Sequence, residues 1–179
     1  VDATHPYAVD ATRNIRTACR TAGVEYPRLL REQSPLPAGS MVFQSAAHVA
    51  DFLAQTQGNV LLATGAKELP AFAQLAPERL YPRVLPTLDG IAACEAAHIP
   101  HKNILALQGP FSYAQSRALL EQFSIRNLVP TDGGAAGGFA EKAQAAADTG
   151  VQLIVIRRPA ETGETADQIL TRCREVLKG

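Results

Sequence analysis

Short apolar runs alternate along the chain with longer stretches in which apolar positions recur every three or four residues. The clearest runs are Asn59-Val60-Leu61-Leu62-Ala63-Thr64, Asn103-Ile104-Leu105-Ala106-Leu107-Gln108, Asn127-Leu128-Val129-Pro130 and Gln152-Leu153-Ile154-Val155-Ile156. Helical spacing follows over residues 88–97, 112–123 and 139–149, with Asp89, Ser112 and Gly138 close to the starts. Strands that alternate with helices in this way form repeated βα units around a parallel sheet. The pattern predicts an α/β fold with a Rossmann-like parallel sheet flanked by helices.

Two shorter strand candidates, Tyr26 to Leu30 and Arg83 to Leu85, are flanked or interrupted by Pro27, Pro82 and Pro86. Proline cannot donate a ladder hydrogen bond, so both suit sheet edges. The aperiodic stretch Gln33-Ser34-Pro35-Leu36-Pro37-Ala38-Gly39-Ser40 is rich in turn formers and reads as a connection. It divides the chain into residues 1–38 and 39–179. No internal repeat or low-complexity tract suggests a solenoid.

Composition narrows the function classes. A chain of 179 residues holds one full domain and part of another, with a core that needs no metal or disulfide support. Seventeen basic and 17 acidic residues cancel, so no global field attracts nucleic acid or an anionic membrane, and neither is an expected partner. No stretch approaches the roughly eighteen apolar residues of a spanning helix, which gives a cytoplasmic expectation. Cys19, Cys94 and Cys173 are odd in number and far apart, so neither a disulfide framework nor a zinc site follows. The opening Val1-Asp2-Ala3-Thr4-His5-Pro6 reads as a strand end entering a loop, and further chain is expected before it.

In a doubly wound sheet, ligands meet the loops that leave the carboxyl ends of the strands. Asp2-Ala3-Thr4-His5-Pro6-Tyr7-Ala8 compresses a carboxylate, a hydroxyl, an imidazole and a phenol; it can bind a polyanion or donate protons, or its polar groups can simply cap the next helix. Thr64-Gly65-Ala66-Lys67 can turn backbone N–H groups toward a phosphate, or be a plain βα turn. In Gln108-Gly109-Pro110-Phe111-Ser112, Gly109 permits close approach, Ser112 can cap a helix, and Phe111 packs on either a flat ring or the core. Thr131-Asp132-Gly133-Gly134-Ala135-Ala136-Gly137-Gly138 is an anion-cradle candidate by composition, with Lys142 in the helix that follows; a flexible lid is the alternative. Of the adjacent Arg157 and Arg158, one reaches any given ligand. No nucleophile elbow, Cys-x-x-Cys or His-Glu-x-x-His is present, which disfavours hydrolase and zinc readings.

Taken in order, the Asp2 to Ala8 loop, Arg83-Val84-Leu85-Pro86, Leu107 to Ser112 and Ile156-Arg157-Arg158-Pro159 resemble the precorrin-6A reductases of cobalamin biosynthesis, with the Gly-rich loop between the last two. The resemblance implies two Rossmann-like domains with a cleft between them, NADPH as cofactor, and reduction of a carbon–carbon double bond in precorrin-6A or its cobalt form. It implies an oxidoreductase that aligns two flat reactants and needs few acid–base residues, so no catalytic residue or metal is assigned. Thr64, Gly65, Gly109, Pro110, Phe111, Ser112, Asp132, Gly133 and Gly134 are then the cofactor-binding candidates. Thr4, His5, Tyr7, Arg13 and Arg158 are the candidates for the carboxylates of the tetrapyrrole substrate.

Two departures from the family pattern stand out. Members usually carry Lys-Asp-Ser-Gly where this chain has Thr131-Asp132-Gly133-Gly134, which removes a cation and a hydroxyl. Members also begin with a Gly-rich βα unit and further strands before the Asp-Ala-Thr-His-Pro-Tyr loop, so residues 1–38 are expected to be the remnant of a second Rossmann-like domain. A remnant of this kind exposes strand edges, which favours a homo-oligomer and weak or no catalysis. The competing reading is a non-catalytic α/β module that binds a nucleotide or an anionic metabolite. A phosphate-ligand transferase ranks last, because Asp132 stands without a partner carboxylate in the sequence.

Overall fold

The computed structural model describes the whole chain except residues 33, 133–137, 159–160 and 178–179. Its contacts divide it into two compact units: a sheet unit, Ser34–Arg157, and a terminal unit that combines Val1–Gln33 with Arg158–Gly179. Sequence reading placed residues 158–179 with the sheet. A composition shift can mark where a chain leaves a unit but not where it returns.

The sheet unit contains β1 (Met41–Phe43), β2 (Asn59–Ala63), β3 (Leu80–Val84), β4 (Leu105–Ala106), β5 (Ile125–Pro130) and β6 (Gln152–Ile156). All strand pairs are parallel, in the order β1-β6-β5-β2-β3-β4. From β2 the chain moves outward through β3 to β4, then returns to place β5 on the other side of β2. Strand order therefore reverses between β2 and β5, and the crevice above their carboxyl ends is where such a sheet binds ligands.

Helices α2 (Ala46–Ala54), α3 (Leu88–Ala96), α4 (Tyr113–Gln122) and α5 (Phe139–Thr149) connect the strands. On one face Phe139, Ala143 and Ala146 of α5 and Leu120 of α4 join Leu61, Leu128, Leu153 and Val155 in a single buried cluster. Continuous apolar strands such as Val60-Leu61-Leu62 are what a sheet covered on both faces requires. Ser112 caps α4 in a reciprocal capping box with Gln115. Thr87, not Asp89, caps α3; Asp89 lies in its first turn.

Several boundaries differ from the sequence expectation for physical reasons. β3 is interior, not an edge, although it contains Pro82. The Val84 carbonyl accepts from Leu107 N–H on the β4 side. By strand alternation the N–H that Pro82 lacks would point the same way, and β4 begins to pair only opposite Arg83. β4 is cut to two residues because the Asn103 side chain, 1% exposed, donates to the Glu78 and Leu80 carbonyls at 2.8 and 3.2 Å. The edge strand β1 and helix α2 had no counterpart in the sequence reading.

Gly90 in α3 has no spare room: a Cβ there would sit 2.5 Å from the Leu85 carbonyl oxygen. In an open helix Gly→Ala gains up to about 1 kcal/mol. Here Gly90→Ala is expected to cost about 1–3 kcal/mol through overpacking, read as a lowered urea midpoint.

The terminal unit holds α1 (Val9–Ala22) and α6 (Ala166–Val176) beside a minimal parallel arrangement. Isolated bridges join Asp2 to Arg28 and Leu29 to Glu164, so residues 28–29 are bridged on both sides and not at an edge. Among the described residues no helix is long and apolar enough to cross a membrane.

Candidate functional site

The terminal unit builds its loop around Arg28, which is 3% exposed. Its Nη1 donates to the Thr4 hydroxyl at 2.8 Å and lies 2.9 Å from Asp2 Oδ1, while Nη2 meets Glu161 Oε1 at 2.6 Å. Asp2 also accepts from the Tyr26 hydroxyl at 2.5 Å and from Thr4 N–H at 2.9 Å. Burial pushes the Asp2 carboxyl pKa upward, but the Tyr26 and Thr4 hydrogen bonds and the Arg28 charge outweigh it, leaving the pKa at about 2.

This network fixes the roles of several predicted residues. The Thr4 hydroxyl is committed to Arg28 and, at 3.1 Å, to Thr12. His5 Nδ1 lies 3.4 Å from Tyr7 N–H, and the two rings are 5.6 Å apart, half-buried at the head of α1. Arg158 donates to the carbonyls of Arg31 and Glu32, so it ties backbone segments together. Arg13 is exposed, pairs with Asp10 at 2.6 Å, and lines a groove of about 660 Å³ together with Arg16, Arg20 and Arg28. Arg13, Arg16 and Arg20 are exposed there and suited to carboxylates, while Arg28 is already engaged by Asp2 and Glu161. Sequence reading chose Arg13 and Arg158 and missed Arg28, whose buried network depends on a contact 133 residues away.

The sheet unit brings a second group together at the carboxyl ends of its strands. Gly65, with φ +86°, opens the loop after β2, and nothing lies within 4 Å of the position a Cβ would take. Beside it the Thr64 hydroxyl is buried with no hydrogen-bond partner among the described residues. Such a group costs about 1–3 kcal/mol if left unsatisfied, so it fits a ligand oxygen or ordered water. After β4, the Gly109–Pro110 bond is cis, and Phe111 is folded back so closely that a Cβ on Gly109 would lie 3.0 Å from its ring. The Phe111 carbonyl in turn comes within 3.4 Å of a Cβ built on Gly138. The loops after β4 and before α5 therefore meet.

The Ser112 hydroxyl is spent on capping. Asp132 is 6% exposed and accepts from Ser34 N–H at 3.3 Å and Ser34 Oγ at 2.9 Å, which makes it a tie for the segment before β1. Gly133 and Gly134 lie outside the described residues. Sequence reading did not place Arg83 among the site residues, although it ends up 9% exposed with its guanidinium 3.9 Å from the Phe111 ring centroid. A cation inside an otherwise buried strand was the available signal. An orphaned hydroxyl, an open glycine turn and a buried cation at strand carboxyl ends fit a ligand bearing oxyanions. Among the described residues no cluster of His, Cys, Asp or Glu could hold a metal ion.

Comparison with known proteins finds a matching family and several relatives. A family model described as "Precorrin-6x reductase CbiJ/CobK" matches residues 1–177. The chain is 34% identical over 164 residues to a cobalt-precorrin-6A reductase of Priestia megaterium, covering 89% of this chain and 64% of that one. It is 36% identical over 174 residues to a cobalt-precorrin-6A reductase of Salmonella typhimurium, covering 95% and 66%. A solved structure named CobK precorrin-6A reductase superposes with a TM-score of 0.78 at 26% identity, over 97% of this chain and 71% of that one. The chain thus spans just under two thirds of the length of those two curated relatives.

Proposed function

Because the chain belongs to the precorrin-6x reductase family, we propose that it serves the NADPH-dependent reduction of a carbon–carbon double bond in precorrin-6A or its cobalt form, in the cytoplasm. The observation that carries this reading is the family match from residue 1 to residue 177, which runs through both units. When bound, NADPH supplies the hydride; the residues of this chain hold and align the two reactants.

In this reading the Thr64 hydroxyl, Gly65 and the Gly109-Pro110-Phe111 turn receive the cofactor, with Ser112 and Asp132 setting the shape of the loops around it. His5, Tyr7 and Arg13 meet substrate carboxylates. Thr4 and Arg158 act by holding the backbone beside them. A homo-oligomer joined through strand edges belongs to the same proposal, and a monomer mass in light scattering removes it.

The test is incubation of the chain with precorrin-6A and NADPH deuterated at the transferable C4 position, followed by mass spectrometry of the macrocycle. Deuterium in the product supports the reductase reading. Binding of both reactants without transfer favours the non-catalytic α/β binding module.

A further inference from the structure

Arg83 occupies an unusual position for a charged side chain. It is 9% exposed, and among the described residues neither a carboxylate nor a carbonyl meets its guanidinium; the Phe111 ring is its neighbour. Burial lowers its pKa to about 10. Tyr81, two residues earlier on β3, and Ala63 of β2 pack against the cluster formed by α4 and α5, so strand alternation places Arg83 on the face that α5 covers.

A second cation waits there. Lys142, in the first turns of α5, is 6% exposed. Burial first, and the charge of Arg83 second, hold its pKa down at about 8, against the opposing pull of Glu141 and Asp132. Phe111 links the two: its ring lies 3.9 Å from the Arg83 guanidinium, and its carbonyl approaches Gly138, which caps the start of the helix carrying Lys142. A buried guanidinium with no counter-ion among the described residues costs the ligand-free fold free energy. An incoming anion reverses that cost, and perturbed cations of this kind gather at functional sites.

We propose that Arg83 and Lys142 form a buried oxyanion subsite, walled by Phe111, that takes either a phosphate group of the dinucleotide or a carboxylate of the macrocycle. The choice of these two anions rests on the reductase reading; the need for an anion rests on the buried Arg83 guanidinium. Binding raises the Lys142 pKa, so the anion is held most tightly below about pH 8 and more weakly above it, where the lysine must gain a proton on binding. The charged groups facing Lys142 are Arg83 on β3, Asp132 after β5, and Glu141 on its own helix.

Calorimetric titration of inorganic pyrophosphate, and separately of uroporphyrin as a polycarboxylate tetrapyrrole, into the full chain tests this. The variants are Arg83→Met, Arg83→Lys and Lys142→Met, each at about pH 7 and about pH 9, on either side of the Lys142 value of about 8. At least one probe binds, Arg83→Met weakens it about tenfold or more, and Arg83→Lys recovers part of the loss. Without ligand, Arg83→Met raises the Tm, because a buried charge has gone. Lys142→Met weakens binding at the lower pH and removes the extra loss that the unmodified chain shows at the higher one. Binding of pyrophosphate alone identifies the cofactor phosphate as the source, and binding of uroporphyrin alone identifies the macrocycle. Equal affinity in Arg83→Met, a lowered Tm in that variant, or no binding of either probe overturns the subsite. Hydride transfer that fails while binding still depends on Arg83 removes the reductase reading and leaves the subsite; transfer with Arg83-independent binding does the reverse.

Discussion

Arg28→Met is expected to cost the terminal unit about 3–5 kcal/mol, the usual result when one partner of a buried ion pair is removed. The Asp2 side chain is fully buried and that of Glu161 is 15% exposed, and both pair with this one guanidinium. The double variant Asp2→Asn with Arg28→Met is expected to recover part of the loss, since an uncompensated buried carboxylate costs more than a neutral pair. Urea unfolding followed by circular dichroism measures the total. Hydrogen exchange at the Leu29 and Leu30 amides, bonded to the Asp2 and Glu164 carbonyls, reports the terminal unit itself. Unchanged protection at those amides would refute the central place given to Arg28.

The same network sets a pH window. Asp2 titrates at about 2 in the folded chain and near 3.8 when free, so its contribution is complete above about pH 4 and vanishes as pH falls through about 2. That contribution is about 2–3 kcal/mol. In Arg28→Met the folded pKa of Asp2 rises, and acid unfolding begins at higher pH. A variant whose acid midpoint matches the unmodified chain would show that the Tyr26 and Thr4 hydrogen bonds hold the carboxylate without Arg28.

How much of this was legible in the sequence depends on the range of the interaction concerned. β2 and β6, α3, α4 and α5 were readable because each rests on local periodicity and a cap within a few residues. β3 was misplaced as an edge because Pro82 is compatible with an interior strand only when the neighbour on its N–H side starts late, a fact of register that sequence does not carry. β1 is three residues long and offers no period to detect. The loops at the carboxyl ends were found by composition, and most of their described residues do sit at strand ends. Their charges were not found: Arg28 and Arg83 owe their burial to distant segments, and Asp132, read as a ligand group, also holds Ser34.

Phe139→Ala is expected to cost the sheet unit about 3–5 kcal/mol, since this side chain, 1% exposed, fills the cluster between α5 and the sheet. Its second effect bears on the subsite. Phe139 opens α5 directly after Gly138, whose left-handed φ of +61° sets the direction of the helix, and Lys142 lies three residues further on. Loosening that first turn admits water to Lys142, and its pKa is expected to climb from about 8 toward 10.5, because desolvation is the largest cause of its depression. Leu53→Ala is the control. Leu53 is fully buried in α2, outside the cluster that holds Phe139, and its loss is worth about 2–5 kcal/mol. Urea midpoints should fall in both variants, while NMR titration of the Lys142 side chain should move only in Phe139→Ala. Equal displacement in both would mean that Lys142 responds to general loosening of the fold; no displacement in Phe139→Ala would mean that the start of α5 does not control the burial of the lysine.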